Sequence, residues 1–261
     1  MKKRLNIALA ADPELPVPPR LYGGIERVLH FLAEGLTARG HDVTLFAHRD
    51  SRISGRLVPY SGTSSHSKLD TLRNAAAIAR HAGAADVIHS FGRLAYLAPL
   101  ALTSTPKLMS YQRPVTPRSI RAAVRLFGRS ISFTACGRHM VGALDAEAVW
   151  HVVPNGVPMS QFAYRESVDA DAPLAFLGRV EEIKGPHLAI AAARQAGRRL
   201  VIAGNVPPEH QAFFDREIKP HVDSWSSGVH PDDWPRIQQS LRDTSSLLHC
   251  RLFWFWQSRQ S

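Results

Sequence analysis

The sequence is poor in the features that would mark a secreted or membrane-spanning chain. Cysteine occurs only at Cys136 and Cys250. The two lie far apart and outside any paired motif, so a disulfide framework is excluded and a reducing compartment is the simpler reading. No run approaches the ~18 consecutive apolar residues of a spanning helix. Acidic residues are in deficit, 22 against 32 Lys and Arg, for a formal net charge of +10. That excess favours anionic partners, whether phosphates, nucleic acid or an acidic membrane surface, without choosing among them. Neither the G-x-G-x-x-G dinucleotide fingerprint nor the G-x-x-x-x-G-K-[ST] loop occurs. No G-x-S-x-G or Cys–His pattern suggests a hydrolase. The histidines lack ligand spacing, and no metal site is expected.

The chain does have enough apolar substance for a sizeable core and two domains: 261 residues, 44% hydrophobic. Its start, "MKKRLNIALAADP", imitates a signal peptide. The apolar run is short, contains Asn6 and meets Asp12 and a Pro-rich loop, so a buried first strand is expected, with a signal peptide as the alternative. Strand-like and helix-like segments then alternate. "GGIERVLHFLAEGLTARG" places Ile25, Val28, Leu29, Leu32 and Leu36 on one helical face, and Gly40 stops it. "HDVTLFAH", "ADVIHSFG", the end of "YLAPLALTSTPKLMSYQRP", "ISFTACG" and "VWHVVPNGV" read as strands, with helices over "SHSKLDTLRNAAAIARHAG" and "SIRAAVRLFGR". Strands separated by helices imply right-handed βαβ units and a parallel sheet. Residues 1–160 are expected to form one domain. A polar, Pro-containing stretch over Val157–Pro173 reads as a linker. A second unit begins at 172 with strand "PLAFLG", loop "RVEEIKG", helix "PHLAIAAARQAG", strand "RRLVIAG" and helix "PEHQAFFDREIKPHV". From 224 the rhythm is lost, and Trp225, Trp234, Trp254 and Trp256 crowd a Ser-rich tail. The expectation is an atypical, out-of-frame or replaced ending.

The loop "GRVEEIKG" holds Arg179 and Lys184 between a strand and a helix. Ligands of open α/β sheets bind outside the carboxyl ends of the strands. A helix N-terminus there offers unpaired N–H groups and a positive dipole end. Arg179 can fork two phosphate oxygens and Lys184 adds a point charge, which suits a diphosphate. The bland alternative is two solvated surface cations. Gly23 and Gly24, at the mouth of the first helix, let backbone approach a ligand closely, or serve only as a turn into the helix. The "PNG" of "HVVPNGV" is by itself only a turn.

The ordered set "YGGIERVLHFLAEGLTARGHDVTLFA", "VVPNGV" and "FLGRVEEIKGPHLAIAAA…LVIAG" resembles the retaining family 4 glycosyltransferases of GT-B architecture, over residues 1 to about 223. The resemblance implies an α/β fold with one complete Rossmann-like parallel-sheet domain on the acceptor side. It also implies an incomplete second, nucleotide-sugar-binding domain over 172–223. The implied reaction is sugar transfer, of hexosyltransferase type, from a nucleotide-sugar donor with no metal or other cofactor. Arg179 and Lys184 would hold the donor diphosphate, and Gly23 and Gly24 would line the approach to the same phosphates. Glu26 would support the loop and helix start.

Two features depart from that family. Its Glu-x7-Glu motif, within a phrase such as E-P-F-G, has no counterpart: Glu209 and Glu217 have the spacing without the phrase. Where many members carry a His after a "P-V-V-x-T" strand, this chain has Gln112 and Arg113; Gln112 can hydrogen-bond a sugar hydroxyl but not exchange protons. His89, at a strand end, is either a sugar or acceptor contact or a satisfied strand-end histidine. Arg118, Arg121, Arg125 and Arg129 recur on one face of a helix whose other face holds Ile120, Val124 and Phe127. They form a solvated basic face or a contact with anionic lipid, which would suit a lipid-linked acceptor. Aromatic residues are not interleaved with them as in single-strand binders, so nucleic acid is not expected. The alternatives to sugar transfer are a non-catalytic module binding a nucleotide or a membrane surface, and a nucleotide-sugar epimerase-like enzyme. A cytoplasmic location, with peripheral contact at the inner membrane face, fits all three.

Overall fold

Unbroken apolar runs, rather than alternating ones, mark strands covered on both faces. The first strand, β1 (Asn6–Ala10), has this form, and everything after Asn6 in it is buried. The structure is a computed structural model describing residues 3–20, 23–113, 115–159, 166–167, 171–222 and 246–247. The polar stretch read as a linker and the tail from 224 lie largely outside those residues. The chain divides into two compact units that meet between Pro158 and Met159.

In the first unit β1 is followed by α1 (Gly24–Ala38), β2 (Asp42–Ala47), β3 (Arg56–Pro59), α2 (Lys68–His81), β4 (Val87–Ser90), β5 (Lys107–Tyr111), α3 (Pro117–Phe127), β6 (Ile131–Ala135) and β7 (Trp150–Val152). These seven strands form one parallel sheet in the order β3-β2-β1-β4-β5-β6-β7. The strand order reverses beside β1, where β4 takes the side opposite β2. That is the switch point at which ligands of such sheets bind. Alternate residues of β1 serve opposite faces. Ile7 and Leu9 pack with Leu29 and Ala33 of α1, while Ala8 and Ala10 pack with Ile78 of α2 and Ile120, Ala123 and Phe127 of α3.

β3 is the one strand of this sheet that the sequence pattern did not reveal. "RLVP" is short, carries an Arg and ends in Pro59. It pairs only with β2 at the sheet edge, where a proline costs no ladder bond. The segment expected as a helix over 208–222 is helical from Pro208 to His221 but irregular, passing from a 3-10 turn through one α turn and a π-type stretch over Phe214–Ile218 to a last 3-10 turn. Phe213, Phe214 and Ile218 nonetheless pack with Val180 and Ile190 as the core of the second unit.

In that unit β8 (Leu174–Leu177), α4 (Pro186–Gln195) and β9 (Leu200–Ala203) form a parallel βαβ unit, and the two-residue β10 (Ser246–Leu247) pairs parallel with β8.

Lys107 is buried at the start of β5, with 2% of its surface exposed. Its ammonium donates to Thr103 O at 2.9 Å, Thr105 O at 2.8 Å, Thr103 Oγ1 at 3.2 Å and Ser130 Oγ at 3.3 Å. Burial lowers its pKa from the ordinary lysine value, and these four acceptors hold the charge without a carboxylate. Lys107→Met conserves most of the volume but strands two carbonyls, so it should cost about 2 kcal/mol. Thermal melts of Lys107→Met at neutral pH test this, and a Tm equal to that of the parent chain would show that the bonds contribute nothing.

Candidate functional site

Two groups of residues gather at carboxyl ends of strands, one in each unit. In the second unit, backbone Gly178 follows β8 and Gly204 follows β9. A Cβ on Gly204 would lie 1.7 Å from Gly178 O, so only glycine lets the two strand ends come this close. Val180 is fully buried, and its N–H donates to Asn205 O at 2.9 Å, which fixes the flanking Arg179 and Glu181. A short turn over Glu182–Lys184 leads to Gly185, whose φ of +73° is left-handed. Pro186 then begins α4 without needing an N–H partner. The loop therefore holds Arg179 and Lys184 on either side of a turn that ends at a helix N-terminus.

Arg179 is about one-third exposed, at 31% of its side chain, and its Nη2 lies 2.9 Å from Oε1 of Glu181, whose side chain is only 5% exposed. His210 Nε2 lies 3.5 Å from the other Glu181 oxygen. Lys184 is half-buried. A buried carboxylate thus faces the guanidinium from behind, which limits the orientations Arg179 can take. Glu181 and His210 were not singled out in the sequence. Glu181 sits between the two basic residues and reads as one more polar loop residue, and His210 reaches it only through the fold.

In the first unit Gly23 and Gly24 lie where the loop after β1 enters α1. Gly23 has φ +150°, and a Cβ there would meet Pro19 at 2.6 Å and Glu26 Oε2 at 2.9 Å, whereas Gly24 faces open space. Glu26 lies in the first turn of α1, where a carboxylate complements the helix dipole. The Pro-rich loop before them is anchored. Val17 is fully buried, its N–H donates to Ser51 Oγ at 2.9 Å, and its carbonyl accepts from Arg52 N at 2.7 Å.

Beside this loop is a cavity of about 190 Å³, lined by residues 11, 12, 14 and 15 after β1, by Ile25, Glu26 and Leu29 of α1, by Ser65 and His66, and by Phe91 and Arg113 after β4 and β5. Asp12 stands in its wall with Oδ1 buried and without a hydrogen-bond partner. Burial first, and then the neighbouring Glu14 charge, raise its pKa to about 6, against the pull of Arg93 and Arg113. Glu14 accepts from Ser65 N–H. The sequence carried a signal for Asp12 in its place directly after a first buried strand. Glu14, Ser65 and His66 join it only through folding.

Gln112 follows β5, and its Oε1 accepts from Asn155 Nδ2 at 2.8 Å. Asn155 of "VVPNGV" therefore braces Gln112, and the turn expected at this Asn-Gly pair is not formed: residues 153–158 are without regular structure. His89 lies one strand away. Its Nε2 is 2.7 Å from Ser110 Oγ, which in turn bonds Thr134 Oγ1. His89 also packs against Phe91, with ring centroids 4.6 Å apart. Burial lowers its pKa to about 4, so it is neutral at pH 7 and holds a three-strand polar chain.

The four arginines at α3 are all exposed, but Arg121 is paired with Glu147 at 2.9 Å. The opposite face, Ile120, Ala123 and Phe127, is buried. Among the described residues no three His, Cys, Asp or Glu side chains are placed to hold a metal ion. Nor is any helix among them long and apolar enough to cross a membrane.

A family model described as Glycosyltransferase Family 4 matches residues 22–161, more than half of the chain. The chain belongs to Glycosyltransferase Family 4. The match lies almost wholly within the first unit and takes in Gly23, Gly24, His89, Gln112 and Asn155.

Among solved structures, the chain is 25% identical to AviGT4, a glycosyltransferase involved in avilamycin A biosynthesis, with a TM-score of 0.62 over 94% of this chain and 68% of that one. The catalytic domain of starch synthase IV from Arabidopsis thaliana, bound to ADP and acarbose, is 14% identical with a TM-score of 0.54, over 84% and 73% of the two chains. An alpha-glucosyltransferase in complex with UDP and a 13-mer DNA is 12% identical with a TM-score of 0.52, over 84% of this chain and 60% of that one. The last two likenesses show a shared fold, the GT-B type. No curated protein matches the chain.

The His89 shift sets a pH test. The unfolded chain takes up this proton near 6.5 and the native one only near 4, so the contribution is present above pH 6.5 and is lost as pH falls toward 4. His89→Gln keeps a partner for Ser110 and removes the titration. Stability of the parent should drop by on the order of 2–3 kcal/mol more than that of His89→Gln between those pH values. Denaturant titrations at several pH values measure it, and parallel curves would refute the assignment.

Proposed function

We propose that the chain binds the diphosphate of a nucleotide-sugar donor through Arg179 and Lys184 and transfers the sugar to an acceptor hydroxyl with retention of anomeric configuration. The observation that carries this reading is the β8–α4 junction, which holds two cations beside a helix N-terminus, with Glu181 behind one of them. In such a transfer the bond between the anomeric carbon and the diphosphate oxygen breaks. A bond from the acceptor oxygen forms on the same face of the sugar, and the acceptor proton passes to the departing diphosphate oxygen. Charge grows on the leaving diphosphate, and fixed cations near it are worth more in the transition state than in the ground state. Arg179 and Lys184 supply that charge, so the reading includes no metal.

Within the first unit, Gly23 and Gly24 would let a ligand approach the backbone closely, and Gln112, braced by Asn155, would contact a sugar hydroxyl. His89, neutral and turned to Ser110, suits a hydrogen-bonding or supporting role better than proton transfer at pH 7. UDP and ADP, the nucleotides named with two of the structural neighbours, are the first probes. Binding of a nucleotide without turnover is the second reading, because the same loop would serve it. Arg118, Arg125 and Arg129 are exposed and would carry any peripheral contact with an anionic membrane.

Calorimetry with UDP and ADP tests the grip. Arg179→Ala and Lys184→Ala should each weaken nucleotide binding about 10- to 100-fold, the worth of one or two charge-assisted hydrogen bonds. Arg179→Lys should fall between them and the parent, since a point charge cannot fork two oxygens. Transfer or hydrolysis of mixed nucleotide sugars above background would establish an enzyme, and binding without turnover would leave a binding module. No binding of any nucleoside diphosphate would overturn both.

A further inference from the structure

We infer that the cavity at the end of β1 is a subsite for one ring of a polyhydroxylated ligand bearing a protonated amine, such as an amino sugar or an aminocyclitol, and that it rejects anionic ligands. Its role as the acceptor site rests on the sugar-transfer reading above; its binding chemistry does not.

Size comes first. The cavity of about 190 Å³ is smaller than the ~300 Å³ at which drug-sized pockets begin. One six-membered ring with its hydroxyls is the unit that suits it.

The lining comes second. Ile25, Leu29 and Phe91 give an apolar side against which the C–H face of a ring can lie. Asp12, Glu14, Glu26 and Ser65 give oxygen acceptors, and Arg113 and His66 stand with them. The carboxylates come from two different elements, Asp12 and Glu14 from the loop after β1 and Glu26 from α1. They do not converge as a metal set does. Acceptors spread around a cavity match several donors spread around a ring, not one ion.

Charge comes third. The chain is strongly basic as a whole, yet this cavity has three carboxylates against one guanidinium in its lining, with Arg93 acting on Asp12 by its charge and a backbone hydrogen bond. Asp12 Oδ1 is buried without a hydrogen-bond partner, and Asp12 and Glu14 repel each other, which helps hold the Asp12 pKa near 6. An ammonium in the cavity relieves the Asp12–Glu14 repulsion, and a carboxylate or phosphate adds to it.

The loop is also preorganised. Ser65 N–H and Glu14 tie two segments of the wall together, and Asn74, fully buried, brackets the loop before α2 by bonding both Gly62 N and Gly62 O at 3.0 and 3.2 Å.

The groups that face Asp12 are Glu14 and Arg93 by charge, Arg113 across the cavity, Glu26 from α1 and His66 from the loop before α2. Buried Tyr60 and Tyr96 feel its charge, which adds to the effect of burial in keeping both phenols protonated. An ammonium ligand that needs ionised Asp12 will therefore bind more tightly above pH 6 than below it, and below pH 6 binding will release a proton.

The test uses the full chain and three probes, D-glucosamine, D-glucose and D-glucuronate, followed by ligand-observed NMR and calorimetry without nucleotide. Glucosamine should bind about tenfold more tightly than glucose at pH 7.5, the equivalent of roughly 1.4 kcal/mol, and glucuronate more weakly than glucose. The preference should shrink as pH falls from 7 to 5, with buffer-dependent enthalpies that report proton release.

Asp12→Asn should bring glucosamine and glucose within about twofold of each other and should raise Tm at pH 7.5, since a carboxylate held at raised pKa costs stability above about pH 6. The gain in Tm separates loss of preference from loss of fold. Glu26→Gln, at the exposed mouth of α1, is the second variant and should lower the same preference.

Glucuronate binding as tightly as glucosamine would overturn the inference. So would a glucosamine preference unchanged by both variants, or no saturable binding of any of the three probes. If nucleotides bind but amino sugars do not, only this inference fails; if amino sugars bind but no nucleotide does, only the sugar-transfer reading fails.

Discussion

The structure depends on one strand being buried on both faces. β1 lies between β2 and β4 in parallel register, and Leu9 and Ala10 have no exposed surface. In this sheet the β1 and β4 strands end together, with Ala10 paired to Ser90. The chain emerging from β1 therefore meets the chain emerging from β4 at the same edge. Ala11 N donates to Phe46 O, and Phe91 N donates to Ala10 O. This places Asp12 against Gly92, where a side chain on the glycine would come within 2.9 Å of Asp12 Oδ1. The cavity, its carboxylates and the glycine mouth of α1 all follow from that meeting.

The second unit repeats the device on a smaller scale. β8 and β9 end together, Gly178 and Gly204 allow the backbones to touch, and the loop between β8 and α4 is held by Val180 and Asn205. The chemistry presented is of opposite sign. At β1 the strand ends carry carboxylates around a ring-sized hole, and at β8 they carry an arginine and a lysine at a helix N-terminus. The two environments differ in sign within one chain, and its net charge of +10 describes neither of them.

Much of this was legible in the residues, and the reasons differ by element. The α1 stripe was read from its 3.6-residue spacing, because one face of that helix packs on the sheet. The core strands were read from continuous apolar runs. β3 escaped because an edge strand has few packing demands and tolerates Arg56 and Pro59. The helix expected over 208–222 forms, but as an irregular one whose π-type stretch follows Phe213 and lets Phe213, Phe214 and Ile218 all pack inward. At the sites, Arg179 and Lys184 stand out as a basic pair in a glycine-bracketed loop. Glu181 does not, since a carboxylate in a charged loop is ordinarily solvated and only its burial distinguishes it.

By itself the sequence determined the α/β class, the alternation of strand and helix, the position of the basic loop between β8 and α4, and the glycine mouth of α1. These are local properties, set by residue spacing, backbone freedom and the solubility of each side chain. Tertiary structure alone decided that Gln112 meets Asn155, that His89 is kept neutral beside Ser110, and that Glu14 reaches Ser65. It also decided that Asp12, Glu26 and Arg113 line one cavity. Those pairs are separated by tens of residues, and their electrostatics depend on shared burial, which no spacing along the chain encodes.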